Sequence, residues 1–435
     1  LKSCYFEGRW QSIYLRLVSA EFLPFELNSR FCRQPVNDGH FDFFAEDGFL
    51  STTSSIYDQI QETLQQSGTE AALEKLAAEL VSSKKFHELF EARKLQLRLQ
   101  LGLPLLFSEA GDDLDDATRN KLEDGLSEIC RDIGAALMAD GRLREGWMYL
   151  RPVGENEIAK EYLLRTETND ENIDELIELA LREGIAPAHG FNLVLQHYGT
   201  CNSITTFDAE MNQQPPAEKK MAAGMLVEHL HAELLENVLS DITSEETTRP
   251  TSNRFAELLP EREWLFDGNR YHIDTTHLAS VIRFARVLSD ENQIKLAIDL
   301  TEYGQRLSSQ YQYENEEPFS DLYPTTRLYL NAILGNDVAD AVTFFEKKAR
   351  ECDTYNQGYM PVEVYIELLS RVGKPAEAME ALIELMPDAS PKIGIAPTIM
   401  ELANSAKDFG RFTRFCREND DLLGFVTGLL HSEKK

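Results

Sequence analysis

The chain has 435 residues, 43% hydrophobic and 27% charged, ordinary globular usage that excludes a fibrous or low-complexity protein. Its 43 Lys and Arg against 74 Asp and Glu leave a net charge of -31, which repels phosphate backbones and anionic lipid heads at long range. The sequence has no run of about 18 apolar residues, and its six cysteines are far apart with no CxxC pair, which disfavours structural zinc and a disulfide framework. Nucleic acid and membrane are therefore not expected as partners. No cofactor is expected, and the thiols read as reduced and mostly buried in a cytoplasmic protein.

Residues 1–50 differ from the rest. Ten aromatic residues fall before Ala45, where five basic residues balance five acidic ones. The segment lacks the apolar h-region of a signal peptide. It reads as lying upstream of a true start near residue 50, with an aromatic arm docked on the remainder as the alternative.

From Ser51 on, nearly everything reads as helix. Helices are expected at 56–66, ended by Ser67-Gly68, then at 70–81 and 86–101. Lys84, Lys85, Arg93, Lys94 and Arg98, interspersed with Glu88 and Glu91, read as a solvated, salt-bridged face. The acidic stretch from Gly111 to Asp116 lacks the glycine and terminal glutamate of a calcium loop, so it reads as the acidic start of a helix near Ala117. Further helices are expected at 155–165, 172–183 and 187–198, then a long loop from Gly199 to Pro216 and a helix at 217–239. The Thr- and Pro-containing stretch 240–274 reads as a connector between an N-terminal block, 51–239, and a C-terminal block, 275–435. Arg270 to Ile273 is the one strand-like piece. Helices are then expected at 276–289, 291–309, 324–334, 337–351, 361–371, 375–386, 396–407 and 409–418.

Three stretches share an apolar helix face, a tight turn and a small residue opening a second helix. Cys130, Ile133, Gly134, Leu137, Gly146 and Leu150 align without gaps on Val362, Tyr365, Ile366, Leu369, Ala378 and Leu382. The middle copy supplies Val281, Phe284, Ala285, Leu288, Ala297 and Thr301. The steps from Ala297 to Ala341 and on to Ala378 are 44 and 37 residues, within the range of helical-hairpin repeats. A small side chain lets two helix axes approach; a larger one overpacks the crossing.

These blocks resemble tetratricopeptide (TPR) repeats, which place small residues at two helix-crossing positions and bulky apolar ones around them. Gly134 and Gly146 match both small positions, Ala378 only the second; Ile366 is large where that family wants Gly or Ala. The resemblance implies an all-α, right-handed superhelix of antiparallel hairpins whose first helices line a groove for a protein or peptide partner. On that reading Arg131, Glu363 and Glu367 are groove candidates, and Gly134, Gly146, Ala285, Ala297 and Ala378 are hairpin-crossing residues. The acid excess favours a basic partner segment.

Three polar groups are weighed against that reading. His272, Asp274 and His277 carry metal-ligand chemistry and support the alternative of a helical metal-dependent hydrolase. Asp274 followed by two threonines is also an ordinary helix start, which is preferred. His229 and His231 are two residues apart and point to different helix faces, so they do not chelate one ion. Cys201 with His197 and His189 could mimic a thiol–imidazole pair, but reads as a buried thiol. The expected function is non-catalytic protein recognition or scaffolding, with oligomeric state open.

Overall fold

A computed structural model describes residues 54–105, 114–313, 315–354, 358–386 and 394–432; the aromatic head, 1–50, lies outside them. Local chemistry sets the helix ends. α1 (Ile56–Ser82) starts at a capping box, in which Ser55 Oγ accepts from Asp58 N and the Asp58 carboxylate accepts from Ser55 N. It breaks at Gly68, where φ is 86°, so the two expected helices meet end to end. After α2 (Phe86–Gln100), α3 (Asp116–Ala139) is capped by Asp115, which accepts from Thr118 N at 3.0 Å. That carboxylate serves a helix start, as expected. α4 (Leu143–Val153), α5 (Asn156–Arg165) and the short α6 (Ile173–Ile177) follow, and a π-helical turn, Glu178–Arg182, succeeds α6.

The described residues are helical, with no strand among them. They form two compact units that part between Leu179 and Ala180. In the first, α1 packs on α2, α2 on α3, α3 on α4 and α4 on α5, and α3 also reaches α5. Ala77, Phe86, Leu89, Phe90, Cys130, Ile133 and Leu137 make its core cluster. The tightest approach is at α3 and α4. A Cβ on Gly134 would stand 3.0 Å from the Gly146 carbonyl oxygen, and one on Gly146 2.8 Å from that of Gly134. The two backbones are in contact, and only glycine fits at both positions.

The second unit holds α7 (Pro187–Ala209), α8 (Pro216–Glu246), α9 (Phe255–Leu258), α10 (Thr275–Phe284), α11 (Glu291–Arg306) and α12 (Leu322–Ile333). It continues through α13 (Val338–Glu351), α14 (Met360–Arg371), α15 (Pro375–Leu385), α16 (Ile399–Ala406), α17 (Phe409–Glu418) and α18 (Leu422–Ser432). From α10 onward, each helix packs on the next. α8 reaches α10 and α11, α10 reaches α12, and α12 reaches α14.

Three expectations need correction here. The stretch after Gly199 is not a loop: Gly199, with φ of 75°, only kinks α7, and the helix resumes because Ser203 and Phe207 bury beneath it. Phe207 stacks on Phe284 with ring centroids 4.1 Å apart. Residues 240–274 are no free connector. α8 runs on to Glu246, and Phe255, Leu258, Leu259, Leu265 and Ile273 are buried, so this stretch is core and the division falls at 179/180 instead. Arg270–Ile273 forms no strand. α18 was not foreseen, its glycines at Gly424 and Gly428 masking an apolar helix.

One turn recurs. Lys84, Gly141, Gly335, Gly373 and Lys407 all adopt positive φ, between 54° and 85°, just after a helix. The residue following each donates its N–H to the carbonyl five residues back: Lys85 to Leu80, Arg142 to Leu137, Asn336 to Asn331, Lys374 to Leu369 and Asp408 to Ala403, at 2.8–3.0 Å. This left-handed cap satisfies carbonyls that the helix end leaves without partners. It joins α1 to α2, α3 to α4, α12 to α13, α14 to α15 and α16 to α17. The middle sequence copy departs from it. There α10 passes into a 3-10 turn at Ala285–Val287, and Asp290 caps α11 by accepting from Asn292 N and Gln293 N. Ala285 and Ala297 are nonetheless fully buried, as is Ala378.

Candidate functional site

Asp299 is the seed of the site. It lies on the buried face of α11 among Ala297, Leu300 and Tyr303, and is only 5% exposed. A carboxylate there must be compensated. His231 of α8 brings its Nε2 to 2.8 Å from Asp299 Oδ2. The same oxygen accepts from Phe255 N at 3.0 Å, and Oδ1 accepts from Ala256 N at 3.3 Å. Asp299 thus holds the start of α9 against α11, and the His231 ring lies against Phe255, centroids 5.2 Å apart. Both oxygens are spent on structure.

Above this floor opens a cleft of about 630 Å³. Asn253 and Arg254 border it on one side, Asn292, Lys295, Leu296, Ile298 and Glu302 of α11 along its length, and Arg327, Asn331, Leu334 and Asn336 on the other. Asn336 is placed by the recurrent left-handed turn, its own N–H donated to Asn331 O at 2.9 Å. Of the cations, Arg327 is paired with Glu302, Lys295 with Glu291 at 2.5 Å, and Arg254 stands 3.8 Å from Glu257. None of the four asparagine side chains lining the cleft is hydrogen-bonded to another described residue. Each carboxamide offers donors and an acceptor, the complement of a peptide group, and Leu296, Ile298 and Leu334 add apolar surface to the lining.

The residues singled out in the sequence lie elsewhere. Arg131 pairs with Glu155 at 2.7 Å on the first unit. Glu363 Oε2 accepts from Ile395 N at 2.9 Å, tying α14 to the segment before α16. Glu367 points inward beside Tyr329 and lies 3.9 Å from Arg371, and its burial pushes the carboxyl above the usual range. Both acids are engaged by neighbouring residues of this unit, where the sequence reading expected solvated groove positions.

The proposed metal ligands do not converge. Asp274 Oδ1 caps α10, accepting from Thr276 N at 2.8 Å and His277 N at 3.2 Å. The His272 ring is held by Tyr303 Oη at 2.9 Å from Nδ1 and Asp241 Oδ2 at 3.2 Å from Nε2. Burial lowers its pKa despite the nearby Asp241. Among the described residues, no group of three or more His, Cys, Asp or Glu is arranged to hold a metal. Cys201 is exposed rather than buried. His229 and His231 do part as expected, the first half-exposed and the second buried.

Sequence reasoning missed the pairing of His231 with Asp299, and the asparagines. One signal was present: an acid at the centre of the apolar face of α11 demands a buried partner. No protein-family model, curated protein or solved structure matches the chain.

Proposed function

We propose that this chain is a non-catalytic interaction protein, an α-solenoid of helical hairpins similar to TPR repeats, which holds an extended segment of a protein partner in the asparagine-lined cleft. The observation that carries the reading is that cleft: four uncommitted carboxamides together with the apolar side chains of Leu296, Ile298 and Leu334, on a floor whose carboxylate is fully occupied in structure. An extended peptide meets such a surface with its main-chain N–H and C=O groups and packs apolar side chains against the apolar part of the lining. The repeated left-handed turn and packing between near neighbours support a quasi-one-dimensional array. A second contact face fits the same reading: Leu422, Leu423, Val426, Leu429 and Leu430 of α18 are exposed, and contiguous exposed apolar surface marks interaction sites. The net charge of -31 speeds encounter with cationic partners.

The test is photocrosslinking in native lysate with a benzoylphenylalanine at Leu296. The expected result is capture of a small set of proteins, lost in the double variant Asn292→Ala, Asn331→Ala. Capture of the same set from a control position at Leu64, or capture indifferent to the double variant, would contradict the assignment.

A further inference from the structure

A second cavity in the 180–435 unit presents a different chemistry. Arg286 sits in the 3-10 turn Ala285–Val287, its guanidinium carbon 3.6 Å over the Phe319 ring. Its Nε and Nη2 are buried, and neither has a hydrogen-bond partner. These two N–H groups form the edge of the guanidinium that takes both oxygens of a carboxylate. Arg262 shows the same edge filled: its Nε and Nη2 reach Glu246 Oε1 and Oε2 at 2.6 and 3.0 Å. In Arg286 neither atom of that edge has a hydrogen-bond partner.

Two unpartnered donor groups meet at one cavity. Arg286 and Asn315 both line a cavity of about 370 Å³ with Asn212, Arg283, Phe284 and Met360. The Asn315 Nδ2 is a further buried donor without a partner. Orphaned buried donors are costly, a guanidinium most of all. Burial and the nearby Arg283 lower the Arg286 pKa to about 9. Three carboxylates also line the cavity. Asp208 lies 3.5 Å from Arg283 Nη2, Glu317 Oε1 accepts from Lys348 Nζ at 2.9 Å while its buried Oε2 has no hydrogen-bond partner, and Glu316 also lines the cavity. They tolerate one negative charge better than two. The remaining walls, Phe284, Phe319 and Met360, are apolar.

We propose that this cavity binds a small organic monocarboxylate with an apolar body, its two oxygens on the Nε–Nη2 edge of Arg286 and beside the Asn315 amide, its body against Phe284, Phe319 and Met360. The volume lies at the low end of small-molecule sites, which suits a ligand of this size.

Isothermal titration of the full chain tests this with phenylacetate and 3-methylbutanoate as probes, against phenylacetamide and inorganic phosphate at matched ionic strength. The expected result is saturable one-site binding of at least one acid, at least tenfold weaker binding of phenylacetamide and phosphate, and at least a tenfold loss in Arg286→Gln. If Arg286→Gln does not fold, Asn315→Asp, which adds a charge to the lining, is expected to cause the same loss. The proposal is overturned if neither acid binds, if phosphate binds more tightly than the acids, or if a folded Arg286→Gln or Asn315→Asp binds them unchanged.

Discussion

The hairpins α3–α4 and α14–α15 share a turn and differ at their crossing. Both close with a glycine in the left-handed region, Gly141 at φ 83° and Gly373 at φ 80°, and both return an N–H to the carbonyl five residues back. At the crossing, Gly134 and Gly146 bring backbone against backbone, whereas the aligned positions hold Ile366 and Ala378, both fully buried. The turn therefore fixes that a hairpin forms, and the crossing residues fix how closely its helices lie. One hairpin is held by contact of main chains, the other by a filled aliphatic core.

The sharpest way to break this comparison is at the crossing. Gly146→Phe should destabilise by about 3 kcal/mol or more, because the new side chain meets the Gly134 carbonyl and Met138, neither free to yield much. Ala378→Phe should cost less, about 1–3 kcal/mol, since the aligned crossing there already holds the side chains of Ile366 and Ala378 in place of two glycines. Denaturant unfolding measures both; equal losses would show that the two crossings have the same tolerance. The turn is the next lever. Gly373→Ala should cost about 1 kcal/mol because alanine resists positive φ. Lys407→Gly, at a non-glycine residue with φ of 54°, should gain a similar amount. No change at either position would detach the turn from hairpin stability.

The smallest expected effects concern pH, and the two hairpins should differ in sign. Glu145, on α4, is lowered to about 2 by the hydrogen bond from Arg142, with His87 adding to it against partial burial. Its contribution is fully present above the ordinary carboxylate value of about 4.5 and fades as pH falls toward 2. Glu145→Gln should flatten that acid limb slightly, since the pair is half-exposed and screened. Glu367, on α14, is raised by burial, only partly offset by Arg371 and Tyr329. Its linked stability is present at low pH and lost as pH rises through the raised value. Glu367→Gln should therefore melt as high as the parent or higher at pH 7, with the difference closing in mild acid. A large loss at pH 7 would mean that the carboxylate is held charged and needed.

Much of the fold was legible because helix ends carry their own chemistry. Asp274, Asp290 and Pro375 mark starts, and Gly335 and Gly373 mark stops, close to where the sequence puts them. Gly199 misled because a single positive-φ residue kinks a helix as readily as it ends one; what decides is burial of Phe207, a contact invisible locally. The 240–274 stretch misled for the same reason. Its polar threonines and Pro250 look like linker, but Asp299 pins Phe255 N across 44 residues. The cleft was beyond reach because its asparagines come from segments as far apart as Asn253 and Asn336, and asparagine carries no periodic signal. The surroundings of two groove candidates were not legible because exposure was inferred from one helix alone: Glu367 meets Tyr329 and Arg371, and Glu363 meets Ile395.

The most direct test of the central claim is selection of a random peptide library displayed on phage against the immobilised full chain, followed by affinity measurement of the winning peptides. The account predicts a shared motif among them, and at least a tenfold weaker Kd for the Asn292→Ala, Asn331→Ala variant at unchanged melting temperature. Failure to enrich any peptide, or a motif bound equally well by that variant, would contradict it.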